Sequence, residues 1–329
     1  MIKHFSQLSA AAIAALGLSV AHAGILPGPV VDTQWLASNL DKVQVIEVRG
    51  DIKSFVKAPE FDTDAKTGKK VLAEVGGHIP GSKLIDMKTM RVERMVGDQK
   101  VKYMIPEQAD FQKRVQAEGV EASKPIVLVP VGMEGTDVDD ALRVYWQFKV
   151  YGEDNMAVLD GGMATWLAEG RAFSQAPADT AGGTWVAKAD RSQEYGATSD
   201  DVAKAMANKS ATLVDTRDIA SYQGLKKRDY VFGYGHLDGS KLYSIDLMFK
   251  SSGAGVKMLS PNTYRALMTA QGVDPSAALI SYCNSGHLSS GPWFVASEIL
   301  GNKNAKLYDG SLHEWTLEKR QLVGAVPLQ

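Results

Sequence analysis

Short apolar runs alternate along this chain with stretches whose apolar positions recur at helical spacing. Val43-Gln44-Val45-Ile46-Glu47-Val48, Ile126-Val127-Leu128-Val129, Ala211-Thr212-Leu213-Val214-Asp215-Thr216, Ala278-Leu279-Ile280-Ser281-Tyr282-Cys283 and Ala305-Lys306-Leu307-Tyr308 read as strands. Asp137 to Val150, Gly291 to Leu300 and Leu312 to Arg320 read as helices, and Val31 to Leu36 as a short capped one. The helix through Tyr264 to Met268 has legible ends: Ser260 offers an N-cap, Pro261 suits the first turn and Gly272 stops it. Strands alternating with helices predict an α/β fold, with a mainly parallel sheet covered by helices on both faces.

The second half repeats the first. Val43 to Arg49 matches Ala211 to Arg217, placing Glu47 on Asp215 and Arg49 on Arg217. Gly77-His78-Ile79-Pro80-Gly81-Ser82 matches Gly235-His236-Leu237-Asp238-Gly239-Ser240, and Leu159-Asp160-Gly161 with Trp166 matches Tyr308-Asp309-Gly310 with Trp315. Three anchors in one order imply an internal duplication, with one α/β domain per copy. Between the copies, Arg171 to Gly196 carries Pro177, Gly182 and Gly183 and reads as a linker, with Thr184-Trp185-Val186-Ala187 as an extended piece packed on a domain. The expected organisation is a leader over 1–23, a first domain over 24–175, a linker over 176–197 and a second domain over 198–329.

Composition narrows the function. With 329 residues, 45% of them hydrophobic, the chain can build two packed cores. Thirty-six basic against 38 acidic residues leave a net charge of −2, so nothing points to nucleic acid or an anionic membrane, and any anion recognition must be local. At the N-terminus, Lys3 and His4, an apolar segment from Leu8 to Val20 and Ala21-His22-Ala23 have the layout of a secretory signal peptide. The apolar segment is shorter than the ~20 residues of a spanning helix, so cleavage after Ala23 is expected, giving a periplasmic or secreted protein with no membrane attachment.

Export makes the cysteine count informative. Exported chains usually employ cysteines in disulfide pairs, and the single Cys283 can form neither an internal disulfide nor a Cys-only metal site. It stands where an apolar strand ends, before the loop Asn284-Ser285-Gly286-His287-Leu288-Ser289 and a helix. Backbone N–H groups in such a loop point inward and, with the positive end of the helix dipole, stabilise an anion. Cysteines in such settings have a pKa lowered from ~8.5 and become nucleophiles at neutral pH. Cys283 is thus the candidate nucleophile, and Asn284 to Ser289 the candidate anion cradle. In α/β folds ligands sit at the carboxyl ends of strands, where Cys283 falls.

Cys-x-x-Gly-x-x-Ser in this position resembles the active-site loop of the rhodanese sulfurtransferases. Val214-Asp215-Thr216-Arg217, Gly235-His236-Leu237-Asp238-Gly239-Ser240 and Tyr308-Asp309-Gly310 with Trp315 stand around it in family order, and the resemblance to the tandem-domain members covers nearly the whole mature chain. It implies a thiosulfate or 3-mercaptopyruvate sulfurtransferase. In that chemistry Cys283 takes a sulfane sulfur from a small anionic donor as a persulfide and passes it to cyanide or a thiol, with no metal or organic cofactor. The first domain would be non-catalytic and would shape the cleft. Counting back from Asp160-Gly161 without a gap sets Glu134 opposite Cys283, and a carboxylate cannot carry sulfur.

Two other classes compete. Cysteine phosphatases need an arginine where this loop has Ser289, because a guanidinium clamps phosphate through two hydrogen bonds. A periplasmic persulfide carrier with little turnover on small donors would use the same loop. Asp215 and Arg217 have twins in a domain without a thiol and read as an ion pair bracing the strand end, although Arg217 stays a candidate for substrate. His236 has its twin in His78. His287 has none, and reads either as a hydrogen-bond donor to donor or persulfide or as a solvent-facing residue, while Trp293 reads as core. Thiosulfate-preferring members tend to carry a lysine two residues after the cysteine, here Ser285, and an arginine four residues after Arg217, here Ser221. Lys226, Lys227 and Arg228 are the candidate replacement for those missing cations.

Overall fold

The computed structural model of the chain describes residues 24–324, so the expected leader lies outside the described residues. Two five-stranded parallel sheets form the two domains. The first has the order Val30–Val31, Met156–Leu159, Ile126–Val129, Gln44–Arg49, Lys83–Asp86. The second has the order Gly196–Ala197, Ala305–Tyr308, Leu279–Tyr282, Thr212–Asp215, Lys241–Leu242. The topology is the same strand for strand, as duplication requires. Every residue of Ile126–Val129 and of Leu279–Tyr282 is buried, which is why these central strands read as unbroken apolar runs rather than alternating ones.

The helix boundaries follow local chemistry. The Asp32 side chain accepts from Trp35 N to start Thr33–Ala37, and the Ser260 side chain accepts from Thr263 N ahead of Pro261–Ala270. The segment expected as one helix from Gly291 to Leu300 is instead a short α-helix, Ser290–Phe294, that widens into a π turn over Val295–Ile299. Leu300 N reaches back five residues to Val295 O at 2.9 Å.

The strands locate the true counterpart of Cys283. Glu47 pairs with Val129 and Asp215 with Tyr282, so the residue after each strand corresponds, and Pro130 occupies the place of Cys283. Glu134 does not. Gly135–Val150 has 16 residues, longer than the segment over 290–299, and the ungapped count slipped across that difference. Glu134 is the N-cap of this helix, sharing a capping box with Asp137.

Helix Gly135–Val150 lies between the domains. From Val138 to Val150 every residue except Asp140 is buried, as befits a helix with neighbours all round. It packs on Ser290–Phe294. Tyr145 sits 4.9 Å from the Phe294 ring and 6.4 Å from that of Trp293, which is 0% exposed. Burying aromatics of this size removes about 150–250 Å² each, worth roughly 4–6 kcal/mol apiece as an upper figure.

Each domain also lends a hairpin to the other. Hairpin Val92–Val96/Gln99–Met104 of the first domain reaches helix Ser311–Leu317 of the second, and just beyond it Ile105 N donates to Asp309 Oδ2 at 2.9 Å. Hairpin Phe249–Ser252/Gly255–Met258 of the second returns to the first, where Met258 N donates to Asp160 Oδ1 at 2.8 Å and Val256 N to Gly132 O at 3.0 Å. The repeated Asp-Gly anchors therefore serve one purpose in both halves: each aspartate fixes the other domain's hairpin. Between the domains, Trp185 is fully buried against Phe111 and Phe148 of the first, and Gly196–Ala197 is already an edge strand of the second sheet.

Candidate active site

Strand Leu279–Tyr282 delivers Cys283 to the interface between the domains, where it is 2% exposed. The loop behind it is held in shape by backbone and side chain together. Ser311, in a left-handed conformation at φ 48°, accepts hydrogen bonds through Oγ from Cys283 N (3.1 Å) and Gly286 N (3.0 Å) and donates to Tyr308 O (2.7 Å). Gly286 has φ +72°, and a Cβ there would lie 2.3 Å from Asp309 O, so only glycine fits. Leu312 N and His313 N donate to the carbonyls of Cys283 and Asn284 at 3.2 and 2.9 Å.

Two arginines of the first domain take the next two carbonyls. Arg91 Nη2 donates to Ser285 O (2.8 Å) and Ser285 Oγ (2.7 Å), and Arg143 Nη1 donates to Gly286 O (3.0 Å). Arg143 also pairs with Asp309 Oδ1 at 2.5 Å and is 0% exposed. With its carbonyls tied back, the loop leaves five backbone N–H groups, those of Asn284, Ser285, His287, Leu288 and Ser289, that donate to no described residue. Unspent donors on one concave loop beside a sulfur are what an anion cradle requires. Gly286 N–H, counted in that cradle from sequence, is instead spent on Ser311.

Acid groups from the same interdomain helix face this loop. His287 Nε2 lies 2.8 Å from Asp140 Oδ1, close but off the axis of a hydrogen bond. Burial pushes the imidazole below its ordinary range, more than Asp140 pulls it up, so it is neutral at pH 7. Asp139 is wholly buried, and neither carboxyl oxygen has a hydrogen-bond partner among the described residues. Burial first, then the neighbouring Cys283 and Asp140, drives its pKa well above the usual carboxylate value. Gly291 makes room for it: a Cβ there would be 2.7 Å from Asp139 Oδ1.

The other predicted residues fall elsewhere. Arg217 is 1% exposed and engaged with Asp215 (2.7 Å) and Gly235 O (2.7 Å), so its guanidinium braces the strand end and does not face a donor. Its twin Arg49 does the same with Glu47 and Gly77 O. His78 and His236 each donate from Nδ1 to a backbone carbonyl while stacked on Phe55 and Tyr222, at 3.7 Å between ring centroids in both pairs. Lys226 is exposed and 3.3 Å from Asp218, Lys227 lies 5.5 Å over the Tyr234 ring, and Arg228 is exposed. This segment meets the loop through Tyr230, whose hydroxyl is 3.4 Å from Ser285 Oγ. A cavity of about 700 Å³ lined by Arg94, Trp146, Asp309 and Glu314 lies along the same interface, but Cys283 is not on its wall.

Sequence reading missed Arg91, Arg143, Asp139, Asp140 and Ser311. Arg91 and Arg143 meet the loop across separations of 194 and 143 residues, which leave no local trace. Ser311 follows a repeated Asp-Gly anchor, and that was the one available signal.

The profile of the family described as Rhodanese-like domain matches residues 198–318. A Saccharopolyspora erythraea protein provisionally named a thiosulfate sulfurtransferase is 28% identical over 312 residues, covering 91% of this chain and 95% of that one. The thiosulfate sulfurtransferase of Bos taurus is 27% identical over 301 residues, 88% of this chain and 93% of its own. Among solved structures, SseA of Escherichia coli, a 3-mercaptopyruvate sulfotransferase, superposes with a TM-score of 0.67 at 22% identity, over 86% of this chain and 98% of SseA. The anaerobic ergothioneine biosynthesis enzyme of Chlorobium limicola superposes at 0.68 and 18% identity, over 91% of this chain and 71% of that chain. At such identities the likeness is one of fold.

Proposed function

This chain belongs to the tandem-domain rhodanese family and is a rhodanese-type sulfurtransferase, and from that premise we propose that it moves a sulfane sulfur from thiosulfate or 3-mercaptopyruvate to cyanide or a thiol through a persulfide on Cys283. The observation that carries the reading is the loop with five unspent backbone N–H groups around a lone, strand-delivered cysteine. With thiosulfate, the Cys283 thiolate attacks the outer sulfur, the S–S bond of the donor breaks with its electron pair, and sulfite leaves. The loop amides stabilise the persulfide anion. Attack by cyanide or a thiolate on the terminal sulfur then returns the Cys283 thiolate, with no net oxidation of the protein.

The surroundings suit this chemistry better than a phosphatase's. Ser289 stands where a phosphate-clamping arginine is needed, and no described arginine replaces it in the loop. A thiol only 2% exposed favours small donors over a bulky docking partner, which weighs against a carrier without turnover. The leader-like segment supports a periplasmic or secreted site of action, and N-terminal sequencing of exported protein should begin at Gly24. The direct functional test is steady-state release of sulfite and thiocyanate. Cys283→Ser should fold as wild type and lose turnover by several orders of magnitude, because a hydroxyl is a far weaker nucleophile at neutral pH. A serine variant with near wild-type rates would overturn the reading.

A further inference from the structure

Ser285 stands where thiosulfate-preferring relatives tend to place a lysine, so the cysteine loop carries no cation of its own. The structure fills the gap from the first domain. Arg91 uses Nη2 on Ser285 O and Oγ at 2.8 and 2.7 Å, and Nε on Tyr103 O at 3.4 Å. Its Nη1 donates to no described residue, and the side chain is only partly buried. The guanidinium lies 4.8 Å over the Tyr103 ring, which sits 5.1 Å from the ring of Tyr230, whose hydroxyl approaches Ser285 Oγ at 3.4 Å. Tyr103 holds φ at 68°, a left-handed conformation that a bulky residue retains only where its surroundings dictate it.

Two other arginines near the loop are committed elsewhere. Arg143 is wholly buried on Gly286 O and Asp309, Arg217 on Asp215 and Gly235 O. Arg91, by contrast, reaches the loop at Ser285, two residues beyond Cys283.

We propose that Arg91, framed by Tyr103 and Tyr230, forms an oxyanion subsite that grips the sulfonate or carboxylate end of the sulfur donor, so that the non-catalytic domain supplies the donor-selecting cation. The inference rests on the sulfur-transfer reading for its biological ligand, but the subsite itself is a claim about charge beside Cys283. A planar guanidinium with a free nitrogen suits a planar or tripodal oxyanion, and the ring beneath it fixes its plane.

The test separates the subsite from the reaction. Alkylation of Cys283 in the full chain would be followed with iodoacetate and with iodoacetamide, which differ in charge and little in size. Arg91→Met should lower the iodoacetate to iodoacetamide rate ratio roughly tenfold at low salt, an effect that shrinks as salt rises, and should raise KM for thiosulfate roughly tenfold to a hundredfold with a smaller change in kcat. Arg91→Lys should recover part of the ratio, as a point charge in place of a fork. Equal loss with both alkylating agents would make Arg91 a brace for Ser285 and overturn the subsite, as would an unchanged ratio. A ratio that falls in a protein with no thiosulfate turnover would sustain the subsite and sink the sulfur-transfer reading instead. Should the methionine variant fail to fold, the lysine variant and Tyr230→Phe carry the same comparison.

Discussion

The pair Arg143–Asp309 joins the interdomain helix to the loop that carries the thiol, and its removal should be felt in both stability and chemistry. Arg143 is 0% exposed and the Asp309 side chain 9%. Taking away either partner strands a charge in a nearly dry site, at a cost of about 3–5 kcal/mol. Arg143→Met also frees Gly286 O, and Asp309→Asn weakens the acceptor for Ile105 N, so each single variant should slacken the cysteine loop and one hairpin. In the double variant Arg143→Met/Asp309→Asn no charge is stranded, and the loss should fall short of the sum of the singles by about 2 kcal/mol or more. Urea unfolding followed by tryptophan fluorescence suits the measurement, since Trp146 lies 4.7 Å from the Arg143 guanidinium and reports the interface directly. Sums additive to within about 0.5 kcal/mol would refute the coupling.

Three further outcomes are expected. Burial above all, with Glu318 and Asp309 adding, holds the Glu314 carboxyl up at about 7, and it lies over Gly310 beside the cysteine loop. A folded value above the unfolded one gives stability that is full below about pH 4.5 and is lost as pH rises through 7, so Glu314→Gln should gain up to about 3 kcal/mol relative to wild type between pH 5 and pH 8, and a pH-independent difference would refute this. Neutralising Lys226, Lys227 and Arg228 together should raise KM for an anionic donor at low salt only, by weakening long-range attraction, and an unchanged KM there would return them to plain surface. Gly286→Ala should cost several-fold in turnover as well as stability, because its Cβ would meet the Asp309 carbonyl oxygen at 2.3 Å and move the amides; full activity would contradict the assigned loop geometry.

What could be read from the chain follows from where the forces act. Strand runs, capped helices and the Asp-Gly repeats depend on neighbours close in sequence, so the duplicated α/β architecture and the placing of Cys283 were legible. Arg217 and His236 have twins in the domain without a thiol, and each is engaged within its own domain, Arg217 on Asp215 and Gly235 O and His236 on Tyr222. The ungapped count that chose Glu134 failed at a helix-length difference, to which apolar periodicity is blind. Arg91, Arg143, Asp139 and Asp140 were invisible for a different reason. They act across an interface between copies, and nothing local distinguishes them from solvated charges on a helix or hairpin.

In the proposed mechanism, sulfur resides on Cys283 between donor and acceptor. Intact-mass measurement of the purified chain after incubation with thiosulfate, and separately with 3-mercaptopyruvate, reads this directly. A gain of one sulfur atom is expected, mapped to Cys283, absent in Cys283→Ser and removed by cyanide as thiocyanate appears. Sulfur gained by the serine variant, or thiocyanate formed with no sulfur ever found on Cys283, would contradict it.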